Sequence, residues 1–194
     1  MILVTGANGQ MGRSLRKILP QDKVIYTDLA ELDISVYDGV EKIIRENGVS
    51  TVINAAGYTA VDSAEKNIDQ AYAVNALGAR NLAMASAKHN CGMIQLSTDY
   101  IFDGNNFKPY TENDKPHPLS VYGQTKLEGE LFTLKHAPQC VVLRTSWLYS
   151  EFGTNFVKTI ISLAKKQDEI KVIYDQIGSP TYAGDFAAII EGMI

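Results

Sequence analysis

The feature that most constrains the fold of this chain is an alternation between short apolar runs rich in β-branched residues and longer segments of helical periodicity. Such alternation is typical of βαβ units, in which helices join parallel strands. The run Ile2-Leu3-Val4 is apolar on consecutive residues, as expected of a strand covered on both faces. The pattern predicts an α/β protein with an open, doubly wound parallel sheet.

The pattern also predicts where the individual elements lie. Strands are expected over residues 1–5, 23–27, 51–54, 93–97, 140–145 and 171–173. Helices are expected over residues 11–19, 36–47, 69–89, 121–135, 152–167 and 185–194. A long irregular stretch, residues 102–119, contains three prolines, and loops of that length in compact domains are usually functional.

The composition limits the class of protein. The 194 residues give room for one domain and the beginning of a second, and a hydrophobic fraction of 45% with 21% charged residues is that of an ordinary globular protein. The net charge of −4 argues against a nucleic-acid surface. Because we find no signal peptide and no window near the ~18 apolar residues of a membrane span, we expect a cytoplasmic protein. Cys91 and Cys140 lack disulfide or metal-ligand spacing, so we expect free thiols and no metal site.

Glycines recur at every third position directly after the first predicted strand. The series Gly6-x-x-Gly9-x-x-Gly12 opens into an amphipathic helix, so that main-chain N–H groups at a helix N-terminus would face the turn. Glycine permits a tight turn and a close approach of the backbone to a ligand. Because the series lies between a strand and a helix, as a dinucleotide site requires, we predict that it binds the pyrophosphate of NAD or NADP.

Acidic residues follow the second predicted strand. Asp28 lies 22 residues after Gly6, where a carboxylate would reach the adenosine ribose and repel a 2′-phosphate, which favours NAD. Arg13 argues for NADP, since its guanidinium would pair with that phosphate if it faced the ribose. The choice of cofactor therefore stays open. Asp33 and Ile34 would suit the adenine edge or, alternatively, belong to a loop that caps the next helix.

A phenol and an ammonium are predicted on one face of a helix, because Tyr122 and Lys126 are four residues apart. A cation near a phenol lowers the phenol pKa toward neutrality, which suits proton transfer. Ser97-Thr98-Asp99 ends the fourth predicted strand and Asn54-Ala55-Ala56-Gly57 ends the third. Because open α/β sheets bind ligands at the carboxyl ends of their strands, these segments are predicted to converge there.

Together these motifs resemble those of the extended short-chain dehydrogenases/reductases, over essentially the whole chain. The resemblance rests on Gly6 through Gly12, Asn54 through Gly57, the helix Val74-Asn75-x-x-Gly78-x-x-Asn81-Leu82, Thr98, Tyr122 and Lys126. Segments 57–65, 96–104, 144–149 and 176–181 are similar to the branch that reduces dTDP-4-dehydrorhamnose. The resemblance implies a Rossmann-like NAD(P)-binding fold and an NAD(P)H-dependent reduction of the C4 keto group of a dTDP-sugar, for surface polysaccharide synthesis. It leaves homodimer formation open.

The resemblance also implies roles for individual residues. Tyr122 would protonate the C4 carbonyl oxygen as hydride arrives, Lys126 would hold the nicotinamide ribose and lower the pKa of Tyr122, and Thr98 would hydrogen-bond the substrate oxygen. Asp99 and Trp147 would contact the sugar, with a plain core aromatic as the alternative for Trp147. Further cofactor contacts are implied at Gly9, Gln10, Met11, Gly57, Tyr58 and Thr59.

Two other functions stay open from the sequence. A nucleotide-sugar epimerase or dehydratase would share the fold and the Tyr/Lys pair, although Tyr100 follows Asp99 where dehydratases of this family usually carry a second acid. The fold also serves as a non-catalytic regulatory subunit, as in a relative that accompanies a methionine adenosyltransferase. Because family members have a further C-terminal portion that builds much of the sugar pocket, we expect residues 1–194 to hold the cofactor domain and the catalytic residues and to lack most of the substrate domain.

Overall fold

The computed structural model describes residues 1–174 and 176–194, and its central feature is a five-stranded parallel sheet. The strand order is β2-β1-β3-β4-β5, formed by β1 (Ile2–Thr5), β2 (Val24–Thr27), β3 (Thr51–Asn54), β4 (Gly92–Thr98) and β5 (Cys140–Thr145). The chain crosses over between β2 and β3, so β1 and β3 flank the switch point of a doubly wound sheet. The predicted α/β class and parallel sheet are confirmed.

Apart from a short helix, Val61–Ala64, that was not predicted, the helices follow the predicted order, with shifted ends. They are α1 (Gln10–Ile18), α2 (Tyr37–Glu46), α3 (Val61–Ala64), α4 (Ile68–Tyr72), α5 (Ala79–Lys88), α6 (Val121–His136), α7 (Phe156–Ala164) and α8 (Ala183–Glu191). The single helix predicted over residues 69–89 is wrong in detail, because a π-helix, Ala73–Gly78, separates α4 from α5. Short 3₁₀ helices cover Gln21–Lys23 and Asp99–Ile101.

Two apolar clusters cover the two faces of the sheet. Ile2 and Val4 belong to the cluster under α1 and α8, whereas Leu3 between them belongs to the cluster under α2 and α5. This alternation follows from the two-residue period of a strand. Leu3 and Val4 are both fully buried, which explains why the strand is apolar on consecutive residues.

The C-terminal third departs from the prediction. Residues 171–173 do not form the sixth predicted strand: they are unpaired, and Val172 and Ile173 are 53% and 67% exposed. Because this short run buries little surface, its β-branched composition does not suffice for pairing. Instead β6 (Leu148–Tyr149) and β7 (Thr181–Tyr182) form a separate parallel pair. Helix α7 begins later than predicted, because Gly153 adopts a φ of 58° and Asn155 caps the helix through the N–H of Lys158.

Two smaller expectations concern the cysteines and the membrane. Cys91 and Cys140 are free thiols, as expected. Across residues 1–174 and 176–194, no helix combines the length and the apolar character that a membrane crossing needs.

Candidate active site

The glycine turn after β1 leads directly into α1. Gly6 has a φ of 67°, in the left-handed region that favours glycine, and a Cβ there would lie 2.6 Å from the backbone that follows β3. Gly9 is the N-cap of α1, and Gly12 lies so close to the turn that a Cβ would come within 2.4 Å of its backbone. The first amides of the helix, on Gln10 and Met11, therefore lie at the carboxyl end of β1. A helix N-terminus in this position is suited to an anion such as pyrophosphate.

Asp28 follows β2 and lies beside the glycine turn, as predicted for the residue that reads the adenosine ribose. Its Oδ2 accepts the N–H of Asn8 at 2.9 Å, and its own N–H donates to the carboxylate of Glu31 at 2.9 Å. The guanidinium of Arg13 lies 5.8 Å from the ring centre of Phe152. The two carboxylates at this end of the site would repel a 2′-phosphate.

Asp33 and Ile34 lie in the loop between β2 and α2. The carboxylate of Asp33 accepts hydrogen bonds from the N–H and the hydroxyl of Ser35, at 2.9 and 2.7 Å. Ile34 is only 5% exposed, and its carbonyl accepts a hydrogen bond from Asn81 at 3.0 Å. The side chain of Ile34 therefore packs in the core, and the adenine contact predicted for Asp33 and Ile34 stays a prediction.

The loop after β3, with Gly57, Tyr58 and the exposed Thr59, is held in place by a buried amide. Asn75 in the π-helix accepts the N–H of Tyr58 at 2.8 Å and donates to the Tyr58 carbonyl at 3.1 Å. Asn75 also donates to Thr125 on α6 at 3.0 Å. A Cβ at Gly57 would lie 3.9 Å from the Nζ of Lys126, so this loop runs beside the predicted catalytic lysine.

The carboxyl end of β4 carries the predicted substrate contacts. Thr98 is 5% exposed, and its hydroxyl donates to Asp99 at 3.1 Å and accepts the N–H of Tyr100 at 3.2 Å. Burial raises the pKa of the Asp99 carboxyl, and the hydrogen bond from Thr98 acts in the opposite direction. The ring of Tyr100 meets the ring of Tyr122 edge-on, with centres 5.5 Å apart. Tyr122 therefore lies next to the end of β4.

Helix α6 positions the Tyr/Lys pair. Ser120 caps the helix by accepting the N–H of Gly123 at 3.1 Å, and Glu65 accepts the N–H of Val121 at 2.8 Å. Lys126 is 7% exposed, and its Nζ donates to the carbonyl of Leu96 on β4 at 2.6 Å. The predicted convergence of the Tyr/Lys pair with the ends of β3 and β4 is thus present in the structure.

The electrostatics of the pair differ from the prediction. Burial raises the pKa of Tyr122 to about 12, a hydrogen bond with Thr98 lowers it in part, and the charge of Asp99 adds to the rise. Burial lowers the pKa of Lys126 to about 8, and the charge of Glu130 opposes this change. The lowered phenol pKa expected from the Tyr/Lys spacing is wrong for this structure, because burial outweighs the favourable interactions. Tyr122 therefore keeps its proton at neutral pH.

Trp147 is not a core aromatic, so the alternative role considered for it is wrong. Its side chain is 42% exposed, and its φ of 46° is unusual for a bulky residue. Gly178 lies against the indole so closely that a Cβ would come within 2.8 Å of it, and the ring of Phe156 is centred 6.2 Å away. A strained and exposed aromatic of this kind is typical of ligand sites.

Two groups of residues near the site were not predicted. Glu130, one turn beyond Lys126, forms a two-pronged ion pair with Arg144, and the i, i+4 spacing from Lys126 is the signal that could have found it. The other group surrounds Gln10, itself an expected cofactor contact: the Gln10 side chain donates to the carbonyl of Leu148 and accepts hydrogen bonds from Ser150 and Asn155. These partners lie 138 to 145 residues further along the chain, so no local sequence pattern indicates them.

The parallel sheet, the glycine turn at its switch point and the Thr/Tyr/Lys group at its carboxyl edge define an α/β protein of the Rossmann-like nucleotide-binding class. A family model described as "RmlD substrate binding domain" matches residues 1–194, and the chain belongs to this family.

Relatives and solved structures agree with this assignment. The chain is 47% identical over 192 residues to a dTDP-4-dehydrorhamnose reductase of Aggregatibacter actinomycetemcomitans, covering 97% of this chain and 65% of that protein. It is 40% identical to one from Sinorhizobium fredii, covering 97% and 64%. The chain thus spans just under two thirds of the length of these curated relatives.

Two crystal structures give the same result for the fold. A dTDP-4-dehydrorhamnose reductase of Clostridium acetobutylicum has a TM-score of 0.95 at 46% identity, and the match covers 99% of this chain and 69% of that one. The Bacillus anthracis enzyme, solved in complex with NADP, has a TM-score of 0.96 at 41% identity with the same coverage. The resemblance inferred from the motifs is confirmed.

Proposed function

We propose that this chain carries the cofactor site and the catalytic residues of an NAD(P)H-dependent reductase. The reaction is reduction of the C4 keto group of dTDP-4-dehydro-L-rhamnose to give dTDP-L-rhamnose, in the cytoplasm, for surface polysaccharide synthesis. The observation that carries the proposal is the placement of Thr98, Tyr122 and Lys126 at the carboxyl end of β4, beside the loop after β3. The names of the relatives supply the substrate.

The residues along the sheet edge fit a dinucleotide. The N-terminus of α1 would hold the pyrophosphate, Asp28 the adenosine ribose, and Gly57 and Lys126 the region of the nicotinamide ribose. A lysine ammonium has three donors, and the bond to the Leu96 carbonyl uses one, which leaves two for ribose hydroxyls. A reduced nicotinamide bound there would supply the hydride.

Tyr122 is suited to supply the proton. With its pKa raised to about 12 by burial, the phenol is fully protonated at neutral pH and holds a proton at its Oη for the substrate carbonyl oxygen. The hydroxyl of Thr98, which donates to Asp99 in this structure, would turn to donate to the same oxygen and orient it. The positive charge of Lys126 would then stabilise the phenolate that Tyr122 becomes. Asp99 and Trp147 would contact the sugar.

The cofactor preference follows from the acidic end of the site. Asp28 and Glu31 support NAD as the better cofactor, since both carboxylates would lie near a 2′-phosphate. Titration of the chain with NADH and with NADPH, followed by nicotinamide fluorescence, tests this preference. Tighter binding of NADPH than of NADH would overturn it.

Turnover tests the proposed reaction. The chain is mixed with dTDP-4-dehydrorhamnose and NADH or NADPH, loss of reduced cofactor is followed by absorbance, and the product is identified as dTDP-L-rhamnose. The Aggregatibacter actinomycetemcomitans relative serves as the positive control. Oxidation of cofactor in step with formation of dTDP-L-rhamnose would support the proposal. Bound cofactor that is neither consumed nor exchanged while the sugar is epimerised or dehydrated would overturn it in favour of an epimerase or dehydratase.

A further inference from the structure

A buried ion pair lies behind the Tyr/Lys pair. Glu130 on α6 is 1% exposed, and its two oxygens accept hydrogen bonds from Nε and Nη2 of Arg144 on β5, at 3.0 and 2.8 Å. The guanidinium of Arg144 also lies over the ring of Phe102, 5.4 Å from its centre. Such a two-pronged pair fixes the position of a carboxylate that would be costly to bury alone.

The Glu130–Arg144 ion pair lies one helical turn from Lys126, close enough for its carboxylate to affect the charge state of the lysine. Glu130 follows Lys126 by four residues, so both side chains lie on the same face of α6. Lys126 is buried at its ammonium, which donates to an uncharged carbonyl, and burial disfavours the charged form of an amine. A fixed negative charge one turn away is what offsets this effect.

Other titratable residues lie on or next to the elements packed against α6. They include Tyr122 on α6 itself, Asp99 and Tyr100 after β4, Glu65 at the end of α3, Tyr72 on α4, Arg80 on α5 and Arg144 on β5. Among the charges of residues 1–174 and 176–194, that of Glu130 is the one that shifts the pKa of Lys126 upward, against the effect of burial. The charge of Glu130 therefore favours the charged form of Lys126.

We propose that Glu130, held in place by Arg144, is a positioning residue that keeps the buried ammonium of Lys126 charged and directed at the cofactor site. The catalytic meaning of this role rests on the proposed function, because a charged Lys126 is what would hold the ribose and stabilise the phenolate. The charge state itself is a property of the chain alone and is measurable without cofactor.

The direct test is NMR titration of the lysine side chains, with the Lys126 signal assigned by its loss in Lys126→Arg. In Glu130→Gln the pKa of Lys126 should fall by about 1 unit or more, because an opposite charge nearby contributes shifts of that size. Glu128→Gln is the matched control, since it makes the same change at an exposed position of the same helix and should leave the Lys126 pKa unchanged. An unchanged Lys126 pKa in Glu130→Gln would overturn the proposal.

A second variant keeps the test valid if Glu130→Gln does not fold. Glu130→Gln/Arg144→Met removes both charges, so no unpaired charge is left in the core. The Lys126 pKa should again be lower than in the parent, but higher than in Glu130→Gln, which leaves the Arg144 charge uncompensated. A Lys126 pKa equal to that of the parent in the double variant would also overturn the proposal.

The pH dependence of cofactor affinity separates this role from simple stabilisation. In the parent, NADH affinity should weaken as the pH rises through about 8, where Lys126 loses its charge, and in Glu130→Gln this loss should begin at lower pH. A purely structural role would weaken binding equally at every pH, and that result would count against the proposal. If the parent binds neither NADH nor NADPH, the proposed function fails, while the NMR titration still decides the role of Glu130.

Discussion

Gly123→Ala should weaken both folding and catalysis, because at Gly123 the start of α6 packs directly against the backbone of Tyr100, just after β4. A Cβ at this position would lie 2.1 Å from the carbonyl oxygen of Tyr100 and 3.1 Å from the Cβ of Pro118. Ordinary contact requires at least 3.4 Å, so the start of α6 must move by about 1 Å. Overpacking of this kind costs about 1–3 kcal/mol. The helix preference of alanine over glycine offsets about 1 kcal/mol of that cost, which leaves a net destabilisation of up to about 2 kcal/mol.

The same displacement should reduce turnover. Tyr122 precedes Gly123, and a misplacement of about 1 Å in a catalytic group lowers rates by about 100-fold. Thermal unfolding followed by circular dichroism, together with reduction of dTDP-4-dehydrorhamnose, measures both effects. Gly39→Ala on α2 is the matched control, since its Cβ would contact Leu32 at an ordinary 3.6 Å and should leave turnover unchanged. A Gly123→Ala variant that is as stable and as active as Gly39→Ala would refute the reasoning.

Three further predictions test the surroundings of the site. Asn75→Leu removes the hydrogen bonds through which Asn75 joins the Tyr58 backbone to Thr125. Cofactor titration should show weaker binding, and the free energy of unfolding should fall by about 1–3 kcal/mol. Unchanged cofactor affinity would contradict this prediction. Gln10→Met loses the hydrogen bonds to the segment around β6, and the free energy of unfolding should fall by about 1 kcal/mol. Equal stability of the variant and the parent would contradict a stabilising role for these hydrogen bonds. Hydrogen bonds, led by one from a backbone N–H, lower the pKa of Asp103 from 3.8 to about 2. The stabilising effect of the Asp103 carboxylate is therefore present above pH 3.8 and lost as the pH falls toward 2. The free energy of unfolding of Asp103→Asn, measured with denaturant, should change less with pH in that window than that of the parent. Equal pH sensitivity would contradict the lowered pKa of Asp103.

The sheet could be predicted from the sequence because its five strands are short runs rich in apolar and β-branched residues, separated by longer segments of helical periodicity. Ile2-Leu3-Val4 must be covered on both faces, and the glycines that follow restrict the next turn to a strand–helix junction. The residues at the carboxyl ends of β3 and β4 could be placed together for the same reason, since parallel strands end at one edge of the sheet.

What the sequence did not reveal depends on contacts between distant segments. The π-helix is stabilised by Asn75, whose partners on the loop after β3 and on α6 are 17 and 50 residues away. The pairing of β6 with β7 involves two residues in each strand, too few for a periodic signal. The Tyr/Lys spacing correctly placed both side chains on one face, but the direction of the Tyr122 pKa shift is set by burial, which spacing does not show.

Tyr122→Phe tests most directly whether the Tyr122 hydroxyl supplies the proton in the reduction. The variant keeps the ring and its edge-on contact with Tyr100, so folding and NADH affinity should be unchanged. Turnover with dTDP-4-dehydrorhamnose should fall by about 10²- to 10⁴-fold, the usual contribution of a general acid. Tyr37→Phe at the start of α2 makes the same chemical change away from the site and should keep parental turnover. Turnover that survives in Tyr122→Phe would contradict the assignment of the proton to Tyr122.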